Sequence, residues 1–108
     1  SSLGGGGGGG NVSFSRTTIT TTATASISHL IIGVSASTSI EIRLPNASSY
    51  SDGQYFTIKD EAGNADANNV VILTSNSQTI DGFQSVTLES PFAAVNIYSN
   101  GTDKFFVY

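Results

Sequence analysis

The chain has 108 residues, a formal net charge of −4 and only 11% charged residues. This length predicts one domain with a small core, and four basic residues are too few for the positive patch of a nucleic-acid or anionic-membrane binder. The absence of cysteine excludes a disulfide or thiolate metal site, and no apolar run approaches the ~20 residues of a membrane span, so neither nucleic acid nor membrane insertion is expected.

A glycine tract opens the chain, and we predict residues 1–11 as a glycine-rich extension of a single β-domain over residues 12–108. Glycine loses more backbone freedom on ordering than any other residue, so the tract is a flexible tether in a lone chain. The alternative, which we favour, is an ordered tract packed against neighbouring copies, because only glycine lets backbones approach closely. No predicted strand precedes the tract and no helix follows it, which argues against a phosphate-binding loop.

The segments after the glycines alternate in the manner of strands, and no helical apolar spacing is found. Each strand is predicted to end at a turn residue, including Pro45, which lacks an N–H to donate. The hydrophobic positions that define the strands, in chain order, are Val12 with Phe14, Ile19, Ile27 with residues 30–34, Ile40 with Ile42 and Leu44, Phe56 with Ile58, residues 70–75, Val86 with Leu88, Val95 with Ile97, and residues 104–108.

The strongest local signal is the hairpin around Asn100 and Gly101. An Asn-Gly pair suits a type I′ turn because both central residues of that turn need a positive φ. About eight short strands with turn signals every 8–12 residues predict an all-β fold, either an antiparallel β-sandwich or a small barrel. We find no internal repeat.

An acidic loop over residues 59–69 is the one candidate metal site. Its spacing resembles a calcium-binding loop only loosely, because the glycine falls at the wrong position. We expect instead a polar turn whose side chains hydrogen-bond their own backbone, with no metal or other cofactor. The residues that could offer oxygen ligands are Asp60, Glu61, Asn64, Asp66 and Asn68.

Catalysis is not predicted. His29 is the only histidine, and no nucleophile-turn motif surrounds any serine, so we interpret His29 as an ordinary strand residue. The acids could be paired as in a glycosidase, but any domain with eight acids offers such pairs. Few exposed aromatic side chains are expected, which makes sugar stacking unfavourable.

Several short pieces of the chain occur together in a familiar order. They are Leu44-Pro45, FTIKDEAGNA at residues 56–65, NNVVI at 68–72, TIDG at 79–82 and the closing strand pair at 94–108. This pattern, which spans roughly the last two thirds of the chain, resembles a C-terminal β-module of bacteriophage virion proteins. Such modules occur in tail-fibre, head-fibre and capsid-decoration proteins, often as homotrimers. The resemblance implies a structural role and carries no catalytic residues.

We therefore predict a non-enzymatic virion structural protein, a trimeric fibre or spike module displayed on the particle surface for host attachment. Its predicted partners are further copies of itself, other virion proteins, and a host surface glycan or protein. The alternatives are a capsid decoration protein, a subunit of a secreted surface filament, and an isolated carbohydrate-binding module. One small domain cannot readily bury all of its apolar segments, which predicts an oligomer interface. Its predicted members are Gly4, Gly5, Gly6, Gly7, Gly8, Gly9, Gly10, Leu30, Ile31, Ile32, Phe105, Phe106 and Tyr108.

Overall fold

The computed structural model describes residues 15–108, so the glycine extension and the strand predicted at Val12 and Phe14 lie outside the described residues. Within them the chain forms ten strands, where about eight were predicted. The part described contains one short 3₁₀ turn, Ala47–Ser49, and no helix long and apolar enough to cross a membrane. The strands are β1 (Arg16–Ile19), β2 (Ala23–Thr24), β3 (Ile31–Val34), β4 (Ile40–Arg43), β5 (Tyr55–Asp60), β6 (Val70–Leu73), β7 (Thr79–Ile80), β8 (Ser85–Leu88), β9 (Ala94–Ser99) and β10 (Lys104–Val107).

The strands form two sheets that enclose a shared core. Sheet A has six strands in the order β1-β3-β5-β9-β10-β7, and sheet B has four in the order β2-β4-β6-β8. From β1 to β9 each strand lies in the opposite sheet from the strand before it. The chain therefore winds as successive coils, each of which adds one strand to each sheet.

Both sheets are mixed, with five parallel and three antiparallel pairings among the described strands, which corrects the predicted antiparallel arrangement. β1, β3 and β5 pair in parallel in sheet A, as do β2, β4 and β6 in sheet B, and β10 pairs in parallel with β7. Antiparallel pairing among the described strands is confined to β5–β9, β9–β10 and β6–β8. The alternating pattern of a strand tells which of its faces is buried, but not the direction of its neighbour.

The coils have unequal lengths, which explains why no repeat is visible in the sequence. Arg16 pairs with Ile31 and Ile31 with Thr57, so that successive positions in sheet A lie 15 and 26 residues apart. The longer coil contains the 3₁₀ turn and the loop that leads into β5. Stacked coils of different length keep their strands in register while their loops differ.

The core lies between the inner faces of the two sheets. In β4 the inward residues Ile40 and Ile42 are buried, whereas Glu41 and Arg43 are exposed, as the alternation predicted. An aromatic cluster fills one part of the core: the ring of Tyr50 stacks on Phe56 at 5.2 Å and meets Phe105 edge-on at 5.8 Å. Full burial of each large side chain contributes about 1.5–3 kcal/mol of hydrophobic stabilisation.

The prediction of a type I′ turn at Asn100-Gly101 is wrong. Gly101 has a positive φ of 76° but Asn100 does not, so the pair is not the centre of a type I′ turn. Instead the side-chain oxygen of Asn100 accepts hydrogen bonds from the N–H groups of Thr102, Asp103 and Lys104 at 2.9–3.1 Å. Asn100 thus closes a longer loop between β9 and β10 with its side chain.

Candidate binding surface

Four aromatic side chains meet on the outer face of sheet A. In the register of β5, β9 and β10, Tyr55 pairs with Tyr98, which pairs in turn with Phe106. Tyr108 extends this face, because its N–H donates to the Asn96 carbonyl at 3.1 Å and continues the ladder beyond β10. We call Tyr55, Tyr98, Phe106 and Tyr108 the aromatic face.

The alternation of each strand forces these rings outward. Phe56, Ile97 and Phe105 are buried in the core, and successive side chains of a strand point to opposite faces of the sheet. Tyr55 is accordingly 51% exposed and Tyr108 is 58% exposed. The expectation of few exposed aromatic side chains is therefore wrong, although the alternation of Tyr55 with Phe56 was the signal that could have revealed it.

The rings of the aromatic face contact one another across the strands. Tyr98 lies 5.4 Å from Phe106 and 5.8 Å from Tyr108, measured between ring centroids, and Tyr55 meets Tyr108 edge-on at 6.2 Å. Contacts of this kind contribute about 0.5–1.5 kcal/mol beyond area burial. The aromatic face is therefore an ordered surface in which the rings hold one another in place.

Two hollows open beside this face. The tyrosine hollow, of about 570 Å³, is lined by Gly53, Tyr55, Tyr98 and Tyr108. The polar hollow, of about 470 Å³, has Asp52, Gln54 and His29 among its lining residues and shares Gly53 and Tyr55 with the first. The two hollows thus adjoin one another at Gly53 and Tyr55.

Gln54 fixes the shape of the polar hollow. Its side-chain oxygen accepts from the Ser51 N–H at 2.9 Å, and its side-chain nitrogen donates to the Ile27 carbonyl at 3.0 Å. The backbone of the same loop is held by the Gly53 N–H, which donates to the Ser99 carbonyl at 2.8 Å. These bonds tie the loop before β5 to the loop before β3 and to the end of β9, so the hollow is built into the fold.

His29 lies in this hollow. The interpretation of His29 as a strand residue is wrong, because it lies in the loop before β3. It is half-buried, and its Nδ1 is buried and has no hydrogen-bond partner among the described residues. A buried ring nitrogen with no partner is an unused hydrogen-bonding group. This placement depends on contacts between loops that are far apart in the sequence, so no local sequence pattern predicts it.

The residues predicted as an oligomer interface occupy different environments. Gly4 to Gly10 lie outside the described residues. Ile32 and Phe105 are 1% and 0% exposed and belong to the core of the protomer. The members that keep accessible surface are Leu30, Ile31 and Phe106, which are half-buried, and Tyr108, which is exposed.

The acidic loop is organised by Asp60 as a backbone anchor. Its Oδ1 accepts from the Gly63 N–H at 3.1 Å, and its Oδ2 accepts from the Ala65 N–H at 2.9 Å. Burial alone would raise the pKa of this carboxyl, but the backbone N–H donors outweigh that effect and hold the pKa of Asp60 below its usual value. Its oxygens face amide hydrogens, which is the polar turn expected from the sequence.

Glu61 is also engaged within the fold. Arg16 of β1 donates from Nε to Glu61 Oε2 at 3.1 Å and from its terminal nitrogen to Oε1. The carboxylate lies over Gly33 of β3, where a Cβ would collide with it. The ion pair lowers the pKa of Glu61 chiefly through the Arg16 hydrogen bond. Among the described residues, no three histidine, cysteine or acidic side chains form a group that could hold a metal ion.

No protein-family model matches the chain, and no curated protein matches it. The resemblance to phage virion modules therefore depends on the short motifs quoted above. Several of those motif residues are turn and anchor positions of the fold, as Asp60 and Gly63 illustrate.

Proposed function

We propose that this chain is a non-enzymatic structural module of a bacteriophage virion, a trimeric fibre or spike module displayed on the particle surface, where it serves host attachment. The observation that carries the proposal is the stack of parallel coils, β1–β2, β3–β4 and β5–β6, followed by antiparallel strands. Stacking of coils is a way to build stiff, elongated parts from short strands. The described domain measures 44 × 32 × 21 Å along its principal axes.

The motif residues support a structural role. The carboxylate of Asp60 accepts hydrogen bonds from backbone N–H groups. Asp81 and Gly82 of the TIDG motif form a turn in which both residues have a positive φ, 50° and 85°. Turns of that kind set the register of neighbouring strands. The motif thus maintains the shape of the module.

The accessible members of the predicted interface support self-association. Ile31 and Phe106 keep part of their apolar surface on the outer side of sheet A, on strands that are separated by β5 and β9. Cyclic trimers form by contacts between two different patches of each protomer. We propose that Ile31 contributes one patch and that Phe106 contributes to the other, together with the glycine extension, while Leu30 and Tyr108, which line the two hollows, remain accessible.

Analytical ultracentrifugation at micromolar concentration tests the trimer. The wild-type chain is expected to sediment as a trimer, and Ile31→Ser is expected to weaken the association. Phe83→Ser is the matched control, because Phe83 is 70% exposed on the turn after β7 and is not part of the predicted interface. A wild-type chain that stays monomeric would contradict the proposal. Electron microscopy of the virion separates the fibre module from the decoration protein, because the first lies on a fibre and the second on the capsid shell.

One observation favours a second candidate, the subunit of a secreted filament. The outer edges of β1 and β2 pair with no other strand within the described residues, and an unpaired edge can accept a strand from another copy. Such a subunit polymerises into long fibres in solution, whereas the fibre module stops at a small closed oligomer. The same sedimentation experiment, supplemented by negative-stain microscopy, separates the two.

A further inference from the structure

We propose that the tyrosine hollow and the polar hollow together form a binding groove for a neutral or N-acetylated oligosaccharide. The two hollows share Gly53 and Tyr55 in their linings, so that one extended ligand can contact both. Their volumes, about 570 and 470 Å³, each fall in the range of roughly 300–1,000 Å³ in which small-molecule sites are found.

The tyrosine hollow supplies the apolar half of the site. Tyr55, Tyr98 and Tyr108 present aromatic surface to it, and their edge-on and tilted contacts keep the rings at fixed angles. Sugar rings carry faces of C–H groups that pack against aromatic rings, while their hydroxyls need polar partners at the rim. Tyrosine meets both needs, since its ring is apolar and its hydroxyl donates and accepts hydrogen bonds.

The polar hollow supplies the hydrogen-bonding half. Asp52 adds a carboxylate that can accept from two sugar hydroxyls, and the half-buried His29 adds an imidazole to the lining. The Gln54 side chain already bonds Ser51 and Ile27 and so holds the wall in place. Hydrogen bonds between Asp52 or His29 and sugar hydroxyls would offset the cost of taking the hydroxyls out of water.

The charge of the groove selects the class of sugar. Asp52 is the charged side chain among the residues that line the two hollows, and no lysine or arginine is among those described as lining them. The whole chain carries a net charge of −4. An anionic ligand, such as a sialylated or sulfated glycan or a nucleotide, would be repelled by this field, whereas neutral hexoses and N-acetylhexosamines would not.

Sugar binding would explain how the module attaches to a host, and this link to attachment rests on the proposed virion function, whereas the groove itself does not. The groove is tested on the isolated full chain, independently of where the chain lies on a particle. A glycan array with neutral, N-acetylated, sialylated and sulfated oligosaccharides identifies the probe, and isothermal titration calorimetry with the strongest neutral oligosaccharide then measures its affinity. The variants are Tyr55→Ala and Asp52→Asn, with Phe83→Ala as the control, because Phe83 is an exposed aromatic side chain outside both hollows.

We expect the wild-type chain to bind neutral or N-acetylated oligosaccharides and to bind their sialylated or sulfated counterparts more weakly. Tyr55→Ala should lower the affinity at least about tenfold, as loss of a central aromatic anchor does, and Asp52→Asn should lower it less. Phe83→Ala should leave it unchanged. Sedimentation of Tyr55→Ala should match the wild type, because Tyr55 is not part of the predicted interface.

Three results would overturn the groove. The first is an array without neutral ligands, the second is binding confined to acidic glycans, and the third is binding that Tyr55→Ala and Phe83→Ala reduce equally. If Tyr55→Ala disrupts the oligomer and the wild-type chain binds no sugar, this surface belongs to the contact between copies. Conversely, a monomeric wild type that binds sugar would refute the trimer while it leaves the groove intact.

Discussion

Asp60 and Phe92 are joined by a hydrogen bond in which the Phe92 backbone N–H donates to Asp60 Oδ2 at 3.1 Å. Asp60 ends β5, whereas Phe92 lies in the turn before β9. Because the same carboxylate also holds the N–H groups of Gly63 and Ala65, one buried side chain connects two loops. The motif that suggested a calcium loop is therefore the clamp between the end of β5 and the start of β9.

We predict that Asp60→Asn destabilises the fold by about 2–3 kcal/mol, the scale of hydrogen bonds to a buried charged group. The amide has the same shape, but its NH₂ group would face backbone N–H donors and leave at least one of them unpaired. Urea denaturation at pH 7 measures the loss. Asp66→Asn in the same loop is the control, because Asp66 is exposed, and it should change the free energy of unfolding by no more than about 0.5 kcal/mol.

The pH dependence of stability should reveal the same carboxylate. The pKa of Asp60 is lowered in the folded chain relative to its ordinary value, burial being outweighed by the backbone donors, so its contribution to stability is present above about pH 4 and is lost as the pH falls through the folded pKa. The difference between wild type and Asp60→Asn should therefore shrink between pH 5 and acid denaturation. A difference that stayed constant with pH would contradict this origin.

Gly63 should tolerate alanine less well than Gly82. Both have a positive φ, 78° and 85°, so both substitutions strain the backbone by about 1 kcal/mol. A Cβ at Gly63 would also meet the Phe92 ring at 2.6 Å, whereas a Cβ at Gly82 would meet nothing within 4 Å. Thermal or urea melts of Gly63→Ala and Gly82→Ala should differ, and adding Phe92→Ala should remove the excess cost at Gly63. Equal losses would rule out the Phe92 contact as its cause.

Tyr50→Phe should stabilise the protein. The Tyr50 hydroxyl is buried without a hydrogen-bond partner among the described residues, and an unpaired buried hydroxyl costs about 1 kcal/mol or more. Burial also raises the pKa of Tyr50 to about 12, so the stability of the wild type is complete below pH 10 and falls as the pH rises toward 12. Urea denaturation at pH 7 and pH 11 should show a larger advantage of the phenylalanine variant at pH 11.

Asn100→Ala should loosen the β9–β10 loop. Its side-chain oxygen accepts three backbone N–H groups, those of Thr102, Asp103 and Lys104, and alanine returns all three to solvent. We expect a loss of about 1–2 kcal/mol, the range found for capping side chains, and faster amide exchange at these three positions. Asn68→Ala, in the loop before β6, is the comparison variant, and unchanged exchange rates at the β9–β10 loop of Asn100→Ala would refute the capping role.

The sequence by itself determined the all-β class, most strand positions and the faces that they bury. Ile40 and Ile42 alternate with Glu41 and Arg43, and burial follows this alternation residue by residue. The reason is local: a strand with a period of two can bury only one of its faces, and hydrophobic side chains select which one. The same logic makes Tyr55 face outward once Phe56 is buried.

Only the tertiary structure decided which strands are neighbours and in which direction. Arg16 pairs with Ile31, and Ile31 with Thr57, across loops of different length, and nothing in an alternating pattern encodes that choice. For the same reason the candidate groove was invisible in the sequence, since His29, Asp52, Tyr98 and Tyr108 come from separate segments. Such sites depend on long-range pairing, which is a property of the whole chain.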